Sequence, residues 1–298
     1  MMAGKLFLHI GAPKTATSSI QTFLNTHTSF LHQQGLHYLR SGLSMNHQCH
    51  HELVWAMELH PALSYVDQDI TKRKSEILAS LGEEIERHSE YDLILSSELL
   101  FFLHDFGRIV PLLSLFKDRE VNVVVYVRKQ DKFLESLYQQ IVKDGGKIGF
   151  EEWVSHAKQI GNYNLMLNRL FKVFSREQII VDVFDSRRED FHPIKNFLGL
   201  IGIPKDSFLE YPIENIKINE ALTREQVGKL VEINKKNPSK RFEMIKQFSE
   251  ENKNFDRNNT EFFKKDERED ILKTYLETNL NFFKRCKLSS EKAKYLFY

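Results

Sequence analysis

Hydrophobic positions in the first two-thirds of the chain fall in short blocks separated by longer amphipathic stretches. Leu6 to Ile10 is a mostly apolar run with the length and side chains of a buried parallel strand. Ile20, Phe23, Leu24 and Leu31 then recur at helical spacing. Further strand-like blocks are GLHYLR at 35–40, DLILS at 92–96, VNVVVYV at 121–127 and IIVDVF at 179–184. Between them, residues 70–90 predict an amphipathic helix with Ile77, Leu78, Leu81 and Ile85 on one face. Residues 44–60 are polar and histidine-rich and turn helical near Leu53. Helices are also predicted over 109–116, from Arg128 onward through Leu134, Leu137, Tyr138 and Ile141, and over 163–174. Residues 143–149, KDGGKIG, read as a glycine-bearing loop and a candidate lid. Strands alternating with helices at this spacing imply right-handed βαβ units and a mostly parallel sheet.

The pattern changes after residue 216. The remainder is helical and highly charged, with NKKNPSKRF as a break and KKDEREDILKTYLETNLNFF as one long amphipathic helix. The expectation is a single α/β domain over 1–298, in which helices flank a central sheet in three layers. Residues 1–215 form its α/β core and 216–298 a helical extension.

Composition narrows the function classes. With 298 residues and 41% hydrophobic content, a sizeable core is affordable and wholesale disorder is not expected. Basic and acidic residues number 42 and 41, so there is no basic excess of the kind that general nucleic-acid or acidic-membrane binding needs. Cys49 and Cys286 form no metal-binding spacing and read as reduced thiols. No run approaches the ~20 apolar residues of a membrane span, and the N-terminus reads as neither signal peptide nor anchor. A cytoplasmic location is the expectation, and the sequence is silent on oligomeric state.

The most informative chemistry follows the first strand. Gly11-Ala12-Pro13-Lys14-Thr15-Ala16-Thr17-Ser18-Ser19 is a short loop of small and hydroxyl residues leading into a helix. Unpaired N–H groups and the dipole at a helix start favour an anion. Pro13 stiffens the turn and presents Lys14. The loop is not a nucleoside-triphosphatase P-loop, whose lysine comes last and precedes a magnesium-holding hydroxyl. PKTATSS instead resembles the 5′-phosphosulfate loop of the PAPS-dependent sulfotransferases, written PKTGTT or PKSGTT. Ala16 replaces the usual glycine, and its Cβ limits both backbone angles and phosphate approach. Ser18 replaces a threonine and keeps the hydroxyl.

A second segment, YVRKQDKFLESLYQQ, resembles the same family where a strand-end arginine and a serine eight residues on hold the nucleotide 3′-phosphate. Here these are Arg128 and Ser136. Arginine's planar fork suits phosphate oxygens. The segment IIVDVFDSRREDFHPIKNFLGLIGIP continues the likeness, through about Gly202. Beyond it the likeness weakens. A late Arg-Lys-Gly string has no match, the nearest being Lys240-Arg241-Phe242, and Ser19 stands where many relatives carry an adenine-stacking tryptophan.

The resemblance implies a P-loop-like fold and a donor, 3′-phosphoadenosine 5′-phosphosulfate (PAPS), giving adenosine 3′,5′-bisphosphate (PAP). It implies donor contacts at Lys14, Thr15, Ala16, Thr17, Ser18, Arg128 and Ser136, with Lys14 stabilising the leaving phosphate oxygen. The acceptor is a hydroxyl or amine, of a carbohydrate or another small molecule, and no metal is expected. Relatives place a His or Glu base at the end of the strand behind the donor, where Glu98 follows LILSS. A partly buried carboxylate there is expected to have a raised pKa. The other reading makes Glu98 a helix-start carboxylate with Ser96 or Ser97 as cap. His47, His50 and His51 are rival bases, and a metal site from His47, Cys49 and His51 has no standard zinc spacing. A small-molecule kinase or nucleotide hydrolase with an atypical loop, and a non-catalytic nucleotide-binding protein, remain as alternatives.

Overall fold

A computed structural model describes residues 4–44, 48–60, 69–185, 191–209, 211, 213, 221–252 and 260–297. Five strands form the central parallel sheet: β1 (Lys5–His9), β2 (Leu36–Tyr38), β3 (Asp92–Ser96), β4 (Glu120–Arg128) and β5 (Ile179–Phe184). Their spatial order is β2-β3-β1-β4-β5. Register is set by Leu6 opposite Leu93 and Val121, and by His9 opposite Ser96 and Val124. The helices are α1 (Thr17–Thr26), α2 (Thr28–Gln33), α3 (His51–Ala56), α4 (Lys74–Arg87), α5 (Val110–Leu113), α6 (Gln130–Lys143), α7 (Phe150–Ala157) and α8 (Tyr163–Leu170). They continue with α9 (Pro193–Leu200), α10 (Asp206–Leu209), α11 (Arg224–Lys236), α12 (Arg241–Glu251), α13 (Lys265–Cys286) and α14 (Ser290–Phe297). Helices flank the sheet in an α/β arrangement with C-terminal helices, consistent with the P-loop-like sulfotransferase fold. Among the described residues, no helix is long and apolar enough to cross a membrane.

Contacts group the chain into two compact units. The first comprises Met1–Val127, Leu165–Ile216 and Cys286–Leu288. The second comprises Arg128–Asn164, Lys217–Arg285 and Ser289–Tyr298. In the first, β1, β3 and β4 are apolar on both faces, as parallel strands covered by helices must be. Phe7, Ile94, Val124 and Tyr126 share one core with Ile20, Phe23 and Leu24 of α1 and Ile194, Phe197 and Leu198 of α9. Each fully buried aromatic there contributes roughly 1.5–3 kcal/mol of transfer free energy. That packing fixes α1, and with it the loop between β1 and α1.

The second unit is organised on α6. Gln130 and Asn279 exchange hydrogen bonds through their side-chain amides, at 2.6 and 3.1 Å. The Glu135 carboxylate accepts from the backbone N–H groups of Phe262 and Phe263 and from Arg268. Asn234 of α11 donates to the carbonyls of Val142 and Gly146, both at 2.8 Å. Tyr138 donates to the Ile148 carbonyl at 3.0 Å. The glycine-bearing loop at 143–149, a candidate lid in the sequence, is therefore pinned on both sides of its turn.

Some elements differ from expectation. The helix expected at 109–116 is a succession of short 3-10 and α turns, with Pro111 in the first turn of α5. The helix expected over 70–90 begins as a 3-10 turn, Ile70–Arg73, and becomes α-helical from Lys74. α8 ends at Leu170, four residues short of expectation.

Candidate functional site

The loop after β1 keeps its ladder bonds for three residues past the strand. Ile10 N–H donates to the Val124 carbonyl and Ala12 N–H to that of Tyr126, both at 3.0 Å. Thr15 then turns inward, its hydroxyl donating to the Ala12 carbonyl at 2.6 Å in a buried setting. This closes the loop on itself and leaves Lys14 and Ala16 in the left-handed region, at φ 68° and 61°. Alternating conformations of this kind point successive backbone N–H groups to one concave side, an anion-binding arrangement. Ala16 is the N-cap of α1, which has no side-chain cap and no acidic residue in its first turn. The dipole at that helix start is therefore not neutralised by its own residues. The concern raised by Ala16 in the sequence takes a definite form: a residue with a Cβ occupies an angle that favours glycine.

Gly11 has a steric requirement. A Cβ there would lie 2.9 Å from His9 Nε2 and 3.3 Å from Thr15 Oγ1 and Thr17 Cγ2. His9, at the end of β1, is buried under the loop, with Nδ1 at 2.9 Å from Ser96 Oγ. Its Nε2 has no hydrogen-bond partner among the described residues. Burial pushes its pKa down to about 4, against the pull of Glu98, so the ring is neutral at pH 7.

From His9 a polar chain runs to Glu98. Gln21 Nε2, on α1, donates to Ser96 Oγ at 3.0 Å and to Glu98 Oε2 at 2.9 Å. On the other side, His51 Nε2 stands 3.6 Å from Glu98 Oε1, and His51 Nδ1 is 2.9 Å from Ser97 Oγ. Burial alone would raise the Glu98 carboxyl, as the sequence led us to expect. The electrostatic pull of the neighbouring His51 ring and the hydrogen bonds of His51 and Gln21 more than offset it, and the pKa falls to about 2. The expected raised pKa is thus corrected. Nor do Ser96 and Ser97 cap the turn that begins at Glu98: both hydroxyls are committed to neighbouring side chains, and no side-chain cap bond forms.

The histidine rivals separate cleanly. His50 is fully buried, with Nε2 on the Leu39 carbonyl and Nδ1 accepting from the Ser96 N–H. Its role is to hold the chain between β2 and β3. His51 alone of the described rivals meets Glu98. His47 lies outside the described residues. Cys49, His51 and Glu98 also bring one possible metal-ligating atom each within 4.8 Å of the others.

Arg128 and Ser136 do meet, within the second unit. Arg128, the last residue of β4, donates from Nη1 to Ser136 Oγ at 2.9 Å. Its main chain is clamped by Tyr163, whose hydroxyl accepts from Arg128 N–H and donates to its carbonyl. Arg241 of the basic string Lys240-Arg241-Phe242 lies over the Phe242 ring, at 4.7 Å from its centroid.

Sequence reasoning missed His9 and Gln21. His9 was absorbed into an apolar run. Gln21 carried a usable signal, because it is a polar residue between Ile20 and Phe23 on the helix face that must be buried.

No protein-family model matches the chain, and no curated protein matches it. Among solved structures, a sulfotransferase from Alicyclobacillus acidocaldarius superposes with a TM-score of 0.52 at 13% identity, covering 98% of this chain and 99% of that one. A protein of the PezAT chromosomal toxin-antitoxin system of Streptococcus pneumoniae matches with a TM-score of 0.33 at 10% identity, over 81% and 88% of the two chains, and carries no argument. The chain therefore shares a sulfotransferase-like fold.

Proposed function

We propose that this protein is a sulfotransferase that moves a sulfuryl group from PAPS to a hydroxyl or amine of a carbohydrate or other small-molecule acceptor, leaving PAP. The observation that carries this reading is the loop of residues 11–16. Its left-handed turns at Lys14 and Ala16 open onto a helix start without an acidic residue. Backbone donors of this kind suit the 5′-phosphosulfate, and Lys14 adds the mobile charge.

Arg128 and Ser136 take the 3′-phosphate in this reading. β1 and β4 are parallel neighbours in the sheet. The acceptor oxygen attacks sulfur in line, and the bond from sulfur to the 5′-phosphate oxygen breaks. Charge growing on that oxygen is met by Lys14 and the N–H groups of Thr15 to Ser18. The acceptor proton goes to the Glu98–His51 pair. Glu98 is ionised at neutral pH and is held in place by Gln21. The cytoplasmic reading rests on two buried thiols, Cys49 and Cys286.

Labelled PAPS incubated with the protein and a panel of carbohydrate and small-molecule acceptors tests the reading. Label is expected on an acceptor, with PAP released in equal amount. Binding of PAPS with no transfer to any of the panel would favour a non-catalytic nucleotide-binding protein.

A further inference from the structure

Away from the donor loop, three histidines from separate segments converge: His32 at the end of α2, His37 in β2 and His88 just after α4. One ring nitrogen from each lies within 4.8 Å of the others. His32 Nε2 and His37 Nδ1 are 3.0 Å apart. The His37 and His88 rings stack at 3.7 Å between centroids, and the His32 ring stacks on Tyr91 at 4.6 Å. Three imidazoles this close need a reason, because each could instead be solvated separately.

The second observation is what holds His37. Its Nε2 faces Glu84 Oε1 at 2.9 Å, and both residues are buried. Glu84 also accepts from the backbone N–H groups of Arg40 at 2.7 Å and Ser41 at 2.8 Å. A carboxylate anchored by two main-chain donors cannot turn away. It therefore keeps the His37 proton on Nε2 and the Nδ1 lone pair aimed at His32. A carboxylate behind a histidine, fixing its tautomer and strengthening its free nitrogen, is how proteins prepare imidazole metal ligands.

We propose that His32, His37 and His88 form a binding site for a divalent transition-metal ion of the zinc, copper or nickel class, with Glu84 as the supporting carboxylate. Three imidazole nitrogens suit that class better than magnesium or calcium, which prefer oxygen. His32 and His88 are half-buried, so an ion can reach the site from solvent. To bind, His32 moves its ring proton from Nε2 to Nδ1 and offers Nε2, and the His88 ring turns out of its stack on His37 so that a ring nitrogen meets the ion. The ion ties together the segments entering β2 and β3. His88 lies four residues before Asp92, and His37 pairs with Leu93, whereas the donor loop follows the far end of β1. The site is thus independent of the sulfotransferase reading.

The test is calorimetric titration of Zn2+ into chelator-treated, full-length protein, with thermal unfolding measured alongside. We expect one ion per chain and a rise in Tm on loading. His88→Asn and His32→Asn, both at half-buried positions, should abolish the site while the apo protein keeps its Tm within a few degrees. Glu84→Gln should weaken binding by roughly 10- to 100-fold. Cys49→Ser controls for the other cluster of possible ligands and should leave binding intact. Absence of saturable binding in the wild type would overturn the proposal. So would binding that survives in the His32→Asn/His88→Asn double variant or disappears in Cys49→Ser.

Discussion

Arg128 Nη1 donates to Ser136 Oγ across 2.9 Å, joining the end of β4 to the second turn of α6. The two residues singled out eight positions apart in the sequence are therefore neighbours with one shared direction. A phosphate placed there can meet the guanidinium fork and the serine hydroxyl together. Replacing Arg128 by Ala should weaken PAP and PAPS binding by roughly 10- to 100-fold, the worth of a charge-assisted hydrogen bond, and leave kcat at saturating donor little changed. Ser136→Ala should act in the same direction and more weakly. Equilibrium binding and saturation kinetics check both. A collapse of kcat at unchanged affinity in Arg128→Ala would contradict the assignment.

Lys14 is expected to act on the step itself. Lys14→Ala should lower turnover by roughly 100-fold or more, as removal of a group that stabilises developing charge does, while Tm stays near wild type. Single-turnover transfer from labelled PAPS is the measurement.

Ala16 makes a separate prediction about stability. Its φ of 61° costs a residue with a Cβ about 1 kcal/mol relative to glycine. Ala16→Gly should therefore raise unfolding free energy by about that much in urea titrations, less the entropy glycine restores to the unfolded chain. The loop's conformation should be unchanged.

Glu98 gives a pH dependence. Its folded pKa of about 2 lies below the ordinary 4.5, so its ionised form is favoured in the folded protein. That contribution is complete above about pH 4.5 and is lost as pH falls toward 2. Glu98→Gln should flatten the acid side of the stability profile over that window. The same variant should lower transfer strongly, and His51→Asn should do so too, because the pair is the proposed proton acceptor. Retained activity in Glu98→Gln alone would assign the base to His51.

Arg268 anchors the helical segment to α6. It bonds Glu135 at 2.8 Å and also meets Asp131, and both carboxylates are buried. Arg268→Ala strands those charges and should destabilise the protein by about 3–5 kcal/mol in denaturant unfolding.

Much of this fold was legible because buried parallel strands write themselves as continuous apolar runs. β3 and β5 match the expected residues, and β4 extends one residue beyond the expected run at each end. The region at 109–116 was not legible: its apolar spacing is helical, yet α5 starts at Val110 with Pro111 in its first turn, where proline bars continuation from the preceding 3-10 turn, and it passes into another 3-10 turn at Ser114. In the candidate site, the loop could be read from order alone: strand, proline, lysine, hydroxyls, helix. Glu98 could not. Its acidity depends on Gln21, 77 positions away, and on His51, brought alongside only when β3 pairs with β2. The three-histidine cluster has the same character, because α2, β2 and α4 meet only in the folded sheet.

The central proposal is that the protein binds a bisphosphorylated adenylate and that Lys14 and Arg128 each contribute to holding it. Calorimetric titration of PAP into the wild-type protein, Lys14→Ala and Arg128→Ala tests it most directly. The account predicts one site per chain in the wild type, weakened in both variants and not displaced by Mg-ATP. Undetectable PAP binding, or tighter binding of Mg-ATP than of PAP, would contradict it.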